Sequence, residues 1–455
     1  MPVWSMCRPA PCLQIFLKRK IECKSCTIMA NSLNSCSADW KRRVFAVDSN
    51  PSLGYTNPFY FTSFDNKHHG ISMSPVCEWE MLKQGAIGYS LCVTDSHRTS
   101  AARLHKLLGH HLVRDLKTNC TILRLLSYLP HDPYGSLEKG FMLIDPMSSL
   151  QVEDRLRNLL TAYKQNIRFC SYQQNPGGYV LQKLWTLNGK ATEIGSSHIV
   201  KLEKPAISPF VVNIKNSAVF YSLDHACAVF KECLSIFPEA RNLLELIERE
   251  PYVPKKGEFP VIVIEGLDAT GKSTLTQSLK VSLKAALLKS PPDCISQWRK
   301  TFDDEPSLIR RAYYALGNYI VESQIAEASK HSPVIVDRYW HSTAAYAIAT
   351  EIGGSAHNLP ESHHEVYQWP NDLLKPDLVI LLTVRDEERI KRIQGRGLAE
   401  TKEEKELETN SMFRQKVEET YKRMENPGCV IIDASASKQS VLTEALFIIK
   451  KYFDV

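Results

Sequence analysis

The stretch Val261-Ile262-Val263-Ile264-Glu265-Gly266-Leu267-Asp268-Ala269-Thr270-Gly271-Lys272-Ser273-Thr274 decides how the rest of the chain is read. Its first four residues are β-branched and apolar, the pattern of a parallel strand buried on both faces. Gly266 to Thr274 then match G-x-x-x-x-G-K-[ST], and Leu275–Leu288 reads as a helix that ends before Pro291-Pro292. Strand, loop and helix in this order form the context a phosphate-binding loop requires. The chemistry explains the residue types. Gly266 and Gly271 let backbone N–H groups curl around phosphate oxygens without Cβ clashes. The helix N-terminus adds partial positive charge at the same place. Lys272 reaches the β- and γ-phosphates, and Ser273 offers its hydroxyl to Mg²⁺. Leu267, Asp268, Ala269, Thr270 and Thr274 complete the expected ATP cradle.

The next apolar strand, Pro333 to Val336, ends in Asp337-Arg338-Tyr339. Ligands of doubly wound sheets collect at the carboxyl ends of strands. An acid there, Asp337, can hold a magnesium-bound water, and Arg338 beside it can grip a phosphate with two parallel hydrogen bonds. Asp377 precedes the strand Leu378–Thr383, at the wrong end, and reads as structural. Arginines recur at Arg389, Arg392 and Arg396, the last between Gly395 and Gly397, followed by the charged stretch Glu400–Glu408. A solvated helix face is the plain alternative for Arg389 and Arg392. The glycines around Arg396 fit a loop that closes over the phosphates, excludes water and neutralises the moving phosphoryl group.

These motifs, with Lys375-Pro376-Asp377-Leu378, resemble the thymidylate kinase family of nucleoside monophosphate kinases over about residues 258–455. The runs Phe259–Ser273, Ser296–Lys300, Val334–Ser342 and Asn426–Cys429, with the long extension before them, narrow the resemblance to a mitochondrial branch acting on pyrimidine monophosphates. The resemblance implies an α/β P-loop kinase domain, a parallel sheet flanked by helices. It implies transfer of the γ-phosphoryl of ATP, with Mg²⁺, to UMP, CMP, dUMP or dCMP, in the service of mitochondrial nucleotide synthesis. Residue by residue, Asp268 falls where the family's loop acid approaches the sugar of the monophosphate, and Arg299 near an acceptor-phosphate arginine. Arg338 matches the Asp-Arg motif, and Tyr313 or Tyr314 falls where an aromatic ring stacks on the base. Two departures matter. Ala269 stands where some members carry a loop arginine, which leaves Lys272, Arg338 and Arg396 as the catalytic cations. Gly317 stands where thymidylate kinases carry a base-reading arginine, which disfavours thymine. A dTMP kinase is the nearest alternative, and a nucleotide-binding regulatory switch is an alternative of another class. The partners expected are small nucleotides, with no nucleic acid and no transmembrane segment, and with room for a homodimer.

Outside this domain the sequence says less. At roughly 100–200 residues per domain, 455 residues suggest two to four domains. Composition of 44% hydrophobic and 23% charged residues excludes a disordered, collagenous or coiled-coil chain. The formal charge of +6 lies wholly in residues 1–43, which hold eight basic and two acidic side chains, so it lends no support to a nucleic-acid-binding body. That acid-poor leader mixes apolar and basic residues around Gln14–Lys24 and reads as a mitochondrial transit peptide, with a merely disordered tail as the plain alternative. Thirteen cysteines without dense regular spacing suggest reduced thiols and an intracellular body, and Cys23 and Cys26 lack the second pair of a zinc site. Residues 44–250 read as a separate α+β domain of unknown role. Helical stretches run near Ala101–Val113, Val152–Lys164, Ala226–Leu234 and Glu239–Glu248. A hairpin is expected where Gly178–Lys190 runs into Asn188-Gly189 and returns through Thr192–Leu202. His110-His111 reads as a surface or packing pair. Prolines and glycines from Pro251 to Pro260 mark a linker, with the kinase domain at 251–455.

Overall fold

The β-branched and aromatic runs of the first half pair into a barrel. The computed structural model describes residues 39–49, 57–63, 79, 82, 85–161, 163, 166–186, 192–248, 255–394, 407 and 410–453. Among them, β1 (Val44–Val47), β2 (Phe59–Ser63), β3 (Ile87–Val93), β4 (Thr121–Tyr128), β5 (Glu138–Asp145), β6 (Ile167–Gln174), β7 (Val180–Thr186) and β8 (Thr192–Leu202) are joined antiparallel. Their order is β1-β2-β8-β7-β6-β3-β5-β4, and pairing of β1 with β4 closes it. Helix α1 (Arg98–Leu116) links β3 to β4, and α2 (Leu150–Thr161) links β5 to β6. The α+β mixture expected for residues 44–250 thus takes the form of a βαββαβ unit whose sheet is completed into a closed barrel. Leu108, Leu112 and Leu116 recur at four-residue spacing on α1, as do Val152, Leu156 and Leu160 on α2. That spacing gives each helix one apolar stripe, and both stripes pack on Tyr89, Leu91 and Phe169. The expected hairpin is β7–β8, antiparallel with a register shift between Leu184 and Trp185. Its turn, Asn188-Gly189, lies outside the described residues, as do the leader 1–38 and the stretch 395–406.

Three helices follow: α3 (Pro209–Ser217), α4 (Leu223–Glu232) and α5 (Pro238–Glu248). Their buried faces join the apolar clusters of the second half. Phe210 and Ile214 pack with Val261 and Val263, while Phe230 and Leu243 pack with Phe302 and Tyr313. Residues 41–455 accordingly form one compact unit.

The second half is a five-stranded parallel sheet. Along the chain run β9 (Val261–Gly266), α6 (Lys272–Leu283), β10 (Ala286–Lys289), α7 (Arg299–Asp303), α8 (Ser307–Ala328), β11 (Val334–Asp337) and α9 (Trp340–Glu351). Then come β12 (Leu378–Thr383), α10 (Asp386–Gln394), α11 (Ser411–Arg423), β13 (Cys429–Asp433) and α12 (Lys438–Phe453). The sheet order is β10-β11-β9-β12-β13, so β9 is central. Alternation along β9 sends Val261 and Val263 to the side of α8 and α9, and Ile262 and Ile264 to the side of α6 and α12. All four are fully buried, each stabilising the sheet by about 1.5–3 kcal/mol relative to exposure. Asp377, at the entry edge, accepts from Val261 N at 2.8 Å and pairs with Lys256, the structural part its position suggested.

One expectation is corrected. Leu275–Leu288 is not a single helix: α6 ends at Leu283, Lys284 takes a left-handed φ of +50°, and Ala286–Lys289 is the edge strand β10. The apolar Ala285-Ala286-Leu287-Leu288 run fits either element by composition, and pairing with β11 decides it. Among the described residues no helix is long and apolar enough to cross a membrane.

Candidate active site

The loop between β9 and α6 takes its shape from two glycines. Gly266 has φ +141°, and a Cβ there would stand 2.5 Å from Leu382 O. Gly271, the residue before α6, has φ +95°. Any L side chain at either position is strained. Ala269 is left-handed too, at φ +65°, a strained backbone of the kind held at functional sites. Lys272 folds back so that Nζ donates to Leu267 O at 2.6 Å. Burial, reinforced by the nearby Arg338 cation, pushes its ammonium down to about 7, while Asp268, Asp337 and Glu265 pull the other way. Ser273 Oγ stands 3.4 Å from Asp337 Oδ2, bringing the expected hydroxyl and carboxylate for Mg²⁺ to one spot. Among the described residues no cluster of three His, Cys, Asp or Glu side chains could form a metal cage. A hydroxyl and one carboxylate suit Mg²⁺, which keeps waters and takes substrate phosphates as ligands.

Arg338 follows β11 with φ +63°, and its guanidinium turns back to the loop. Nη2 donates to Asp268 Oδ1 at 2.6 Å, and Nη1 to Gly266 O at 3.0 Å and Ser342 Oγ at 3.1 Å. The bend is held by Glu265, fully buried at the end of β9. Its carboxylate accepts from Tyr339 N at 2.8 Å and Ser342 N at 3.2 Å, and also from Ser342 Oγ. An anion at the N-terminus of α9 complements the helix dipole. Desolvation nevertheless pushes the Glu265 carboxyl up from its ordinary value.

Beside the loop lies a cavity of about 270 Å³. Asp268, Arg299, Arg311, Tyr314 and Arg338 line it, with the hydroxyls of Ser290, Ser342 and Thr343. Arg299 donates to Asp303 at 3.2 Å and lies 5.9 Å over the Tyr314 ring. Tyr314 Oη donates to the same carboxylate at 2.7 Å. Of the two tyrosines named from the sequence, Tyr313 does not reach the cavity. It is fully buried, stacks on Phe302 at 5.2 Å and donates to Ile295 O at 2.8 Å. Adjacent helical residues point about 100° apart, so one faces the core and the other the cavity.

Arg311 is the cation that sequence reasoning missed. It is 3% exposed, lines the cavity and donates from Nη2 to Thr350 Oγ1 at 3.3 Å. The signal was its spacing: Arg311 and Tyr314 are three apart on α8 and share a face. The arginines after β12 divide. Arg389 is buried and donates to Leu407 O at 3.2 Å. Arg392 lies against that loop: Nη1 is 3.8 Å from where a Cβ on Gly271 would stand, and Nη2 donates to Ala434 O at 2.8 Å. Arg396 lies outside the described residues.

Residues 264–445 match the family model described as thymidylate kinase. UMP-CMP kinase 2, mitochondrial, of Homo sapiens is 51% identical over 374 residues, covering 80% of this chain and 83% of that protein. The chain belongs to the UMP-CMP kinase 2 family. It is therefore a nucleoside monophosphate kinase, and the sheet and phosphate loop above are that family's kinase fold. Thymidylate kinase of Xanthomonas oryzae pv. oryzae (strain PXO99A) is 29% identical over 203 residues, 42% of this chain and 82% of that one. Among solved structures, thymidylate kinase from Candida albicans aligns with 24% identity and a TM-score of 0.34, over 42% of this chain and 92% of that one.

Proposed function

We propose that this protein transfers the γ-phosphoryl group of ATP to the phosphate of a pyrimidine nucleoside monophosphate, UMP or CMP and their deoxy forms, giving the diphosphate. The observation that carries the reading is the cavity beside the phosphate loop, where Arg299, Arg311 and Arg338 line the same space as Asp268. Three guanidiniums suit the dianion of a phosphate monoester. Tyr314 offers a ring for the base, and Asp268 stands between the loop and the cavity, placed to meet the sugar.

Little covalent help is required, since phosphoryl transfer depends on alignment and charge stabilisation. The loop N–H groups and Lys272 hold the donor phosphates. A phosphate beside Lys272 Nζ restores the charge that burial weakens. Mg²⁺, generally used with ATP in this family, would be held at Ser273 and Asp337 and would offset charge between the phosphates. Arg338 bridges the loop and the acceptor cavity, and Arg396 is the cation proposed to close over the transferring group. A homodimer fits this reading.

The name of the human relative extends the reading to mitochondria, where the basic leader would direct the chain. Thymine is disfavoured by Gly317: a Cβ there would meet Pro291 Cβ at 2.9 Å, so no base-reading arginine fits. For the division of the chain, we infer that the kinase half begins ahead of α3 rather than at 251, because α3 to α5 supply its apolar clusters. A coupled ADP-release assay over UMP, CMP, dUMP, dCMP and dTMP tests the activity. Turnover with UMP and CMP well above dTMP is expected. Turnover with dTMP alone would make this a dTMP kinase, and ATP binding without transfer to any acceptor would favour a regulatory switch.

A further inference from the structure

One place where the barrel meets the kinase half is the carboxylate of Glu351, the last residue of α9 and 6% exposed. Arg124 of β4 donates from Nη1 to Glu351 Oε2 at 3.2 Å and from Nη2 to Glu351 O at 2.7 Å. The same guanidinium holds Asp48, just past β1, through Nη2 at 2.7 Å and Nε at 3.1 Å, and it lies 5.5 Å over the Phe210 ring. Asn213 of α3 donates to Glu351 Oε2 at 2.5 Å, and Ser307, which opens α8, donates to Oε1 at 3.2 Å. One carboxylate therefore ties the barrel, α3, α8 and α9 together.

Both kinase helices lead from this knot to the acceptor cavity. On α8, Arg311 and Tyr314 stand one and two turns beyond Ser307. On α9, Thr350 is next to Glu351, and its Oγ1 accepts from Arg311 Nη2 at 3.3 Å. The far end of α9 begins two residues after Arg338. There is no slack at the joint, since a Cβ on Gly353 would stand 2.0 Å from Asp48 Oδ1. Without the Arg124 cation, Asp48 loses its guanidinium partner and Glu351 keeps only the Lys139 charge and its neutral donors, so the tie between β1 and the end of α9 is lost.

We propose that Arg124 is a positioning residue for the kinase reaction: through Glu351 and Thr350 it fixes Arg311, so the barrel sets the affinity of the acceptor site. The inference rests on the kinase reading above, which gives the cavity its phosphate. A static brace on the whole fold would affect both substrates alike. A brace on Arg311 affects the acceptor most, because the side-chain contacts of Glu351 and Thr350 run to Arg124, Asn213, Ser307 and Arg311 and not to Lys272.

The test uses the full chain and the two KM values. Arg124→Ala is expected to raise KM for UMP about fivefold or more while KM for ATP stays within about twofold. Thr350→Val, which removes the hydroxyl that accepts from Arg311 and donates to Tyr346 O at 2.7 Å, should raise KM for UMP in the same sense. In the Thr350→Val background, Arg124→Ala should then add much less than it does alone, because both act through one contact. Should Arg124→Ala fail to fold, Asp48→Asn takes its place in the same cycle. Equal changes in both KM values, or effects of the two substitutions on KM for UMP that multiply fully, would overturn the proposal. Wild-type turnover with UMP is measured alongside. Its absence would defeat the kinase reading itself, a result distinct from the failure of the brace.

Discussion

In the barrel, Arg43 is 3% exposed and its guanidinium is occupied by Ser127 Oγ at 3.1 Å, by Ser127 O at 3.1 Å and by Glu138 at 3.4 Å. Glu138 also pairs with Arg168, and Tyr172 is tied to Ser90 at 3.0 Å and Gln182 at 2.7 Å. In the kinase half, Arg299, Arg311 and Arg338 have protein partners too, yet all three line one cavity beside a phosphate loop. The difference lies in where the charge points. Barrel cations are matched by acids and carbonyls within the fold, as buried charge must be. The kinase cations also have acids, Asp303 beside Arg299 and Asp268 beside Arg338, but they line an open cavity beside the phosphate loop where an anion can reach them. Burial of an arginine therefore says little about function until it is known whether a cavity opens onto it.

The largest effect that would break this comparison concerns Lys272. Lys272→Ala should lower turnover by roughly 10²–10³, the cost of removing one preorganised charge-stabilising donor, with little change in melting temperature. Turnover within about threefold of wild type would contradict it. Next is the cation over the transferring group. Arg396→Ala should lower kcat by about 10²-fold with a smaller change in KM, and Arg396→Lys should restore only part because a point charge lacks the planar fork. If Arg396→Ala is fully active and Arg392→Ala is crippled, Arg392, seen against the loop, has that role instead.

The barrel should respond in the opposite way. Arg43→Ala leaves Ser127 without its donor while Arg168 still holds Glu138, and should destabilise the fold by about 1–3 kcal/mol, read as a lowered melting temperature, with kcat per folded molecule close to wild type. A selective loss of kcat without loss of stability would give Arg43 a functional role that its contacts do not suggest. The smallest effect sharpens the kinase side. Burial holds Lys272 at about 7 without nucleotide, and a phosphate at Nζ must raise it. The bound state then carries more protons above that value, so ATP affinity should fall as pH rises, by about fivefold from pH 7 to 8, with proton uptake on binding. Calorimetry in buffers of different ionisation enthalpy reads this directly, and binding without proton uptake at pH 8 would contradict it.

How far the sequence could be read follows from how local each constraint is. The loop was legible because Gly266 and Gly271 answer backbone demands set within a few residues. Asp337 and Arg338 were legible because a strand end places them. The choice between Tyr313 and Tyr314 was not, since it depends on which face of α8 meets α4 and α5. Arg311 stayed hidden for the same reason, one arginine among several on an amphipathic helix. In the barrel the helices and the β7–β8 hairpin could be read from periodicity and Asn188-Gly189. Closure could not, because β1 pairs with β4 some eighty residues away and no local pattern specifies that partner. The Glu351 knot is more distant still, joining side chains from Asp48 to Glu351 that no motif connects.

The central claim is that a pyrimidine monophosphate sits in the arginine cavity with its phosphate turned to the P-loop. A crystal structure of the full chain with UMP and a non-hydrolysable ATP analogue tests it most directly. The account predicts the UMP phosphate within hydrogen-bond distance of Arg338 and of at least one of Arg299 and Arg311, with the base against Tyr314. UMP bound elsewhere, or with its phosphate pointing away from these arginines, would contradict it.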